Sequence, residues 1–365
     1  MSIVLMTDPA AKKEAKSKKT SPQRLLELSR SADVSVQLAV ASNARTPVLA
    51  LEHLSGHGKF TILKAVALNP NVSPGILERL AGHKQFTVCE AVADSSVTPV
   101  NVLGQLARHA DKRVREAVIR NPNVTTKLLE TLMGDDDAHV RFMVALKFGC
   151  PPHILETLSS DPDPYVRNAV AGNDGTPSAV VRTLATDPDG YVRAGAVYRL
   201  RDSNGYALLK TLARDADAQV RLEIAKLMSW NAALHEHLVN DPDDEIRERL
   251  ADHAELPETA ATRLARDSSV AVRERIARRD DLGKGTLEVL VTDAEPEVRQ
   301  ALAFSKVNDA PVWVLERLSS DANDEVRWQV AYNGRTPDDV LERLASDTED
   351  AVRQTARATL LRTWR

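Results

Sequence analysis

One short motif recurs along the chain at an almost fixed interval, and it constrains the fold more than any other feature. The segment DPDPYVRNAVAGN, residues 161–173, contains a Val-Arg pair whose aliphatic member, the anchor, has an equivalent at thirteen positions. Successive anchors lie 26 residues apart in ten of twelve intervals and 28 residues apart in the other two. Such a period predicts a repeat protein in which each unit buries its apolar face against its neighbours. The anchors are Val36, Ile62, Val88, Val114, Val140, Val166, Val192, Val220, Ile246, Val272, Val298, Val326 and Val352.

Each unit is predicted to contain two helices. An Asp-rich turn caps the first helix, which ends near an Asn such as Asn173, a residue that tolerates the left-handed conformation found at helix ends. The second helix often opens with Thr-Pro, as at Thr336, and its leucines lie three residues apart, as Leu341 and Leu344 do. The sequence therefore predicts an all-α solenoid of about thirteen two-helix repeats.

The recurring Arg is predicted to hold neighbouring units together. On a helical wheel it lies between the apolar residue four positions after the anchor and the Ala that usually stands five positions after it. A buried guanidinium needs a carboxylate, and an Asp usually precedes each Arg by six residues. Units that lack the Arg are followed by units that lack the Asp, so each Arg is expected to pair with the Asp of the next unit. The predicted arginines are Arg141, Arg167, Arg221, Arg247, Arg273 and Arg299, and their acceptors include Asp161, Asp187 and Asp241.

Three units carry His57, His83 and His109 at the position of that Asp. Either these in-register imidazoles converge on a zinc ion, or each His replaces Asp as the cap of a turn where no Arg needs a partner; we favour the cap.

Cys89 and Cys150 are interpreted as structural core residues. The sequence contains no glycine-rich phosphate loop, G-x-S-x-G, H-E-x-x-H or C-x-x-C motif, so neither an enzyme activity nor a metal or cofactor is predicted.

Charge is distributed unevenly along the chain. The net charge is −4, but residues 1–130 carry 18 Lys and Arg against 11 Asp and Glu, whereas the remaining residues carry 30 against 41. Residues 1–20, which contain the run KKEAKSKKT, are expected to form a basic flexible tail. The basic units that follow are a candidate site for an anionic partner, either nucleic acid or an acidic protein surface. The candidate residues are Lys59, Lys64, Lys84, Lys112, Arg113 and Arg120.

The expected location is the cytoplasm, without a membrane partner. The chain has only two cysteines, no signal-peptide pattern at its start, and no apolar run long enough to span a bilayer.

Two segments carry a resemblance to a known family. VRNAVAGNDGTPSAVVRTLA, residues 166–185, and VRWQVAYNGRTPDDVLERLA, residues 326–345, resemble the leucine-rich repeat variant of bacteria, and the Asp-to-Arg spacing resembles HEAT-like repeats. The resemblance covers roughly residues 21–360 and implies a right-handed superhelix, with residues 21–365 as one solenoid domain. The resemblance leaves open whether one of the two helices in each unit is 3₁₀ or α. One arrangement of the family includes an N-terminal iron–sulfur module, but this sequence has no matching cysteine cluster, so that activity is not carried over.

A solenoid without a catalytic constellation favours a non-catalytic scaffold that binds a protein partner. The alternative is a nucleic-acid-binding solenoid that uses the basic N-terminal repeats, by analogy with HEAT-like DNA glycosylases. Positions two and six residues after the anchor are expected to face outward. Two of them, Trp328 and Tyr332, lie one turn apart and are predicted to form an exposed aromatic contact for a partner, unless the next helix covers them.

Overall fold

The computed structural model describes residues 8–201, 205–227, 229, 231–304 and 310–363. Within these ranges the chain is all-helical and contains no strand, as the sequence predicted. The helices form two compact units, Met1–Leu184 and Ala185–Arg365, and a single solenoid domain over residues 21–365 stays a prediction. Because each repeat of a solenoid packs only against its neighbours, the sequence motif can continue through the boundary between two such units.

Helices alternate between two kinds along both units. The first helices, which contain the anchors from α3 onward, are α1 Pro9–Lys16, α3 Val34–Ala41, α5 Phe60–Ala67, α7 Phe86–Asp94, α9 Lys112–Arg120, α11 Ala138–Leu146, α13 Pro164–Gly172, α15 Gly190–Val197, α17 Ala218–Ala225, α19 Asp244–Ala251, α21 Val270–Ala277, α23 Pro296–Ala303, α25 Asp324–Tyr332 and α27 Asp350–Thr363. The second helices are α2 Pro22–Leu28, α4 Val48–Ser55, α6 Pro74–Ala81, α8 Val100–Leu106, α10 Thr126–Leu132, α12 Pro152–Leu158, α14 Ser178–Leu184, α16 Tyr206–Leu212, α18 Ala232–Leu238, α20 Glu258–Leu264, α22 Lys284–Leu290, α24 Val312–Leu318 and α26 Asp338–Leu344.

Both helices of each described pair are α-helices, which answers the question that the resemblance left open. The 3₁₀ geometry occurs, in the part of the chain described, at the single turn Tyr198–Leu200 that follows α15.

The core of each unit consists of the anchors, all of which are buried, together with the apolar residues four positions after them and the leucines of the second helices. First helices pack against first helices within a unit, as α7 does against α9 and α25 against α27.

The N-terminal segment differs from the flexible tail expected for residues 1–20. Its basic run lies in α1, where Asp8 caps the helix and Ala15 is fully buried. Ala15 stands 26 residues before Ala41, so α1 occupies the place of one more first helix and packs against α3. Arg24 binds Glu14 at 3.0 Å and fastens α1 to α2. The sequence did not indicate this additional first helix, because Ala10 stands at its anchor position, 26 residues before Val36, where the other units have Val or Ile.

The recurring asparagines have a different role from the one predicted. No residue other than glycine has a positive φ in the described ranges, so these asparagines do not adopt the left-handed conformation. Asn121 is extended and buried; its Nδ2 donates to the carbonyl oxygens of Ala93 at 2.5 Å and Ser95 at 2.9 Å, in the preceding repeat. Its Oδ1 accepts the N–H of Asn123 at 2.8 Å. One side chain therefore joins two repeats and closes its own turn.

The same position carries the same kind of bond in other repeats. Asn69 donates to Ala41 O and Asn43 O, and where Asn is replaced, Lys147 reaches Ile119 O at 2.8 Å and Arg279 reaches Ala251 O at 2.9 Å. The Thr of Thr-Pro also binds a residue that precedes it in the chain. The Thr336 hydroxyl donates to Val330 O at 2.6 Å and does not cap the second helix. Free carbonyls at the ends of first helices thus receive side-chain donors in a regular manner.

Candidate interaction surfaces

The recurring arginines form bidentate pairs across the junctions between repeats. Arg221 donates from Nε and Nη2 to the two carboxylate oxygens of Asp241 at 2.7 and 2.9 Å, and from Nη1 to the carbonyl oxygen of Asp215 at 2.8 Å. Asp241 in turn accepts the N–H of Asp243 and caps its own turn. We call these the junction pairs: Arg115–Asp135, Arg141–Asp161, Arg193–Asp215, Arg221–Asp241, Arg247–Asp267, Arg273–Asp293, Arg299–Asp321 and Arg327–Asp347.

The junction pairs are shielded from solvent. Their arginine side chains are 11–17% exposed and their aspartate side chains 2–10% exposed. The hydrogen bond from Arg327 lowers the pKa of Asp347 despite the opposing effect of burial. Each pair is internally neutral, so these arginines leave no free charge for a ligand. Arg167 and Asp187 belong to different compact units, and their pairing stays a prediction.

The three in-register histidines cap turns. Nδ1 of His57 accepts the N–H of Lys59 at 2.9 Å, and His83 and His109 accept the N–H two residues ahead at 3.1 and 3.0 Å. This is the bond that Asp makes in the other units, as Asp241 shows. No group of three or more metal-ligating side chains that could hold an ion is found in the described ranges.

Both cysteines are free and buried. Cys89 stands at the Arg position, and its Sγ lies 3.1 Å from the carbonyl oxygen of His83, where an Arg would donate. Burial raises the pKa of Cys150 to about 11, so its thiol stays protonated near neutral pH. Both residues fit a structural role.

The basic candidates of the N-terminal repeats fall into two groups. Three of them have acidic partners: Lys112 binds Asp137 at 3.1 Å, Arg113 binds Asp111 at 2.8 Å, and Arg120 binds Asp94 at 3.1 Å. The guanidinium of Arg113 also lies 3.7 Å above the ring of Phe86. The other three, Lys59, Lys64 and Lys84, make no ion pair with any residue that the structure describes. The sequence alone could not separate these groups, because the acids come from other positions of the repeat.

The aromatic pair lies at the outer edge of α25. The rings of Trp328 and Tyr332 stack with their centroids 5.5 Å apart and their planes 14° from parallel. Tyr332 is 47% exposed, whereas Trp328 is half-buried and lines a cavity of about 270 Å³ with Ala351 and Val352 of α27. The residue six positions after an anchor is thus the outward one, while the residue two positions after it lies partly against the next first helix.

A polar groove beside α20 was not predicted. It has a volume of about 600 Å³, and Arg263 and Arg266 of the α20 end line it together with Asn240 and Thr259. In the sequence these arginines lie outside the register of the junction pairs. They are three residues apart, a spacing that brings side chains together on one face of a helix, and this was the signal that could have indicated the groove.

Two histidines, His235 of α18 and His253 after α19, are buried with their rings 5.2 Å apart. His235 Nδ1 accepts the N–H of Asn231 and Nε2 donates to Ile224 O at 3.0 Å. Burial lowers the pKa of His235, which keeps the ring neutral. His253 stands at the Asn position and reaches Leu227 O at 2.9 Å, so it joins repeats as Asn121 does.

Taken with the fold, these surfaces define an α-helical repeat protein whose in-register polar residues join its repeats. No protein-family model matches the sequence, and no curated protein matches it. In the described ranges, no helix is both long and apolar enough to cross a membrane.

The chain is similar to several solved helical repeat structures. One is a leucine-rich repeat variant with a novel repetitive structural motif, at 26% identity and a TM-score of 0.47, over 60% of this chain and 87% of that one. A chain from the structure describing Kap95p binding to RanGDP has 14% identity and a TM-score of 0.37, over 96% and 55%. The structure of Kap121p gives 12% identity and 0.36, over 95% and 45%. This chain therefore spans about half the length of the two longer chains that it matches.

Proposed function

We propose that the chain is a non-catalytic scaffold that binds a protein partner through the exposed edge of its first helices. The observation that carries this proposal is the stacked pair of Trp328 and Tyr332. The Tyr332 side chain is exposed, and the half-buried Trp328 lines a cavity beside it. Exposed aromatic residues held rigidly by a helix are typical of binding hot spots. The residues that repeat most regularly are committed to the junctions, which leaves the variable outer positions for recognition.

Other outer positions support the same use of this edge. Leu68 and Leu146 are 52% and 51% exposed, and Tyr198 is 63% exposed; each stands six residues after an anchor, as Tyr332 does. Leu68 and Leu146 lie in one compact unit and Tyr198 and Tyr332 in the other, so each unit exposes large apolar side chains at this position. We take them as further candidate contacts for a partner.

Replacing Trp328 and Tyr332 with Ala is expected to weaken partner binding by about 30-fold or more, the effect of losing a hot spot worth about 2 kcal/mol. The partner would be captured from the native host with and without nuclease, identified, and titrated against the purified full chain. Val312→Ala is the control, because it removes an apolar side chain that is 45% exposed at the start of the second helix α24, outside the first helices. Equal affinities of the native chain and the double variant would contradict the proposed site.

A second candidate function, binding of nucleic acid or an acidic protein surface at the N-terminal repeats, is favoured by the unpaired lysines. Lys59 and Lys84 are exposed, and their charges are not neutralised by any described acid, whereas Lys112 and Arg113 have partners. Free cations at a surface attract polyanions, and the binding weakens as salt rises.

For this alternative, Lys59→Glu with Lys84→Glu is expected to reduce binding to duplex and single-stranded DNA about tenfold or more and to flatten its salt dependence. Lys112→Glu with Arg113→Glu gives the same change of charge at paired residues and is expected to have the smaller effect. The measurement is an electrophoretic shift at several salt concentrations. The α1 segment is kept in all variants, because it covers α3. A DNA affinity that is the same in the native chain and both double variants, or no DNA binding by the native chain, would rule out a nucleic-acid site here.

A further inference from the structure

The groove beside α20 contains two arginines whose charges are not used by the fold. Arg263 and Arg266 are exposed, and neither forms an ion pair within the described ranges; Arg266 contacts only the carbonyl oxygen of Thr262, at 3.3 Å. Asp241 and Asp267 also line the groove, but Arg221 and Arg247 already hold them in bidentate pairs. The groove therefore has an excess of positive charge, although residues 131–365 carry 30 Lys and Arg against 41 Asp and Glu.

Comparison with equivalent repeats explains why Arg263 is free. Arg79 stands at the same position of an earlier repeat, where it donates to Ser55 Oγ at 2.7 Å and binds Glu52 at 2.8 Å. Arg343, at the same position of a later repeat, reaches Ser319 Oγ at 3.4 Å. In the repeat that precedes Arg263, the serine is replaced by Val239, which cannot accept a hydrogen bond. Arg263 therefore has no side-chain acceptor at the position that serves Arg79 and Arg343.

The other polar groups of the groove are donors suited to an oxyanion. Asn240 contributes an amide and Thr259 a hydroxyl to the same lining as the two guanidinium groups. Glu236 stands at the position of its repeat that Glu52, the partner of Arg79, occupies in an earlier repeat. It lines a smaller adjoining cavity of about 110 Å³ with Arg263 and forms no ion pair there among the described residues. Guanidinium groups bind carboxylates and phosphates through paired N–H donors.

We propose that this groove binds an anionic side chain, a carboxylate or a phosphate, on a peptide segment of the partner protein. A volume of about 600 Å³ is within the range of ligand sites and exceeds what a single free anion fills, so a peptide segment is the occupant that fits. This inference rests on the proposed function, because it assigns one contact of the same partner.

The test uses three short Gly-Ser peptides that differ at one position, which is phosphoserine, Glu or Gln. Each is fluorescently labelled and titrated into the full chain at low salt. Both anionic peptides are expected to bind about tenfold more tightly than the Gln peptide, since each charge-assisted contact contributes on that scale. The Arg263→Gln, Arg266→Gln double variant is expected to bind all three equally weakly.

Arg317→Gln is the matched control and is expected to keep the preference. Arg317 is exposed at the position equivalent to Arg263, but Ser320 stands there in place of Arg266. A preference restricted to phosphoserine supports the site with phosphate as its ligand, and a preference shared with Glu supports a carboxylate. Equal binding of all three peptides by the native chain, or a preference that survives in the double variant, would overturn the inference.

These peptides need no captured partner, so the two proposals can fail separately. If the peptides bind as expected but no protein partner depends on Trp328 and Tyr332, the proposed function alone is contradicted. Partner binding that depends on Trp328 and Tyr332, with no peptide preference, would contradict the groove alone.

Discussion

Asp241→Ala is expected to lower the free energy of unfolding by about 3–5 kcal/mol, because it leaves the guanidinium of Arg221 without its carboxylate in a shielded junction. The Asp241 side chain is 2% exposed and that of Arg221 is 11% exposed, so water replaces the lost partner poorly. The change also removes the acceptor of the Asp243 N–H. Urea unfolding followed by circular dichroism measures the effect.

The matched control for this change is Asp244→Ala, three residues along the chain. Asp244 is exposed in the first turn of α19 and belongs to none of the junction pairs. Its loss is expected to cost under about 1 kcal/mol. Equal destabilisation by Asp241→Ala and Asp244→Ala would show that the junction pair adds nothing beyond an ordinary surface charge.

Asn121→Leu is expected to cost about 2–4 kcal/mol, although it replaces a buried polar side chain with an apolar one of similar size. The change leaves the carbonyl oxygens of Ala93 and Ser95 and the N–H of Asn123 without their partner, and each unsatisfied buried group costs about 1–3 kcal/mol. Asn121→Asp is expected to be worse, because a carboxylate would face two carbonyl oxygens.

Asn101→Ala serves as the control for the asparagine change. Asn101 is exposed on α8 and makes a single long bond of 3.3 Å to Glu78, so we expect less than about 0.5 kcal/mol. Thermal and urea unfolding of the three variants decide the matter. Unchanged stability of Asn121→Leu would mean that the bonds between repeats at this position are not needed.

The junction pairs could be predicted because the repeats supply an internal comparison. The joint loss of Arg at Cys89 and of Asp at His109 indicated that the two positions meet across a junction, and Arg115 with Asp135 follows the same rule. The asparagine bonds could not be inferred in this way. An Asn at a helix end is compatible with a left-handed cap and with a bond to the preceding repeat, and only the backbone angles distinguish the two.

The candidate surfaces were less predictable than the scaffold, for two physical reasons. Pairing of a surface charge depends on its neighbours in space, so the sequence grouped Lys84 with Lys112 although only Lys112 has a partner among the described residues. The groove depends on a serine replaced by Val239 one repeat before Arg263, a relation that appears only when the two repeats are placed side by side. The folded α1 was missed because its anchor position carries Ala10 instead of Val or Ile.

A double-mutant cycle on Arg221 and Asp241 tests most directly whether the recurring arginines join the repeats. The changes Arg221→Met and Asp241→Leu are made singly and together, and unfolding free energies are measured for the native chain and all three variants. We predict that each single change is strongly destabilising and that the double variant is far more stable than the sum of the two losses implies, because neither charge is left alone. Strictly additive losses would contradict the account, since they would show that the two side chains do not stabilise the junction as a pair.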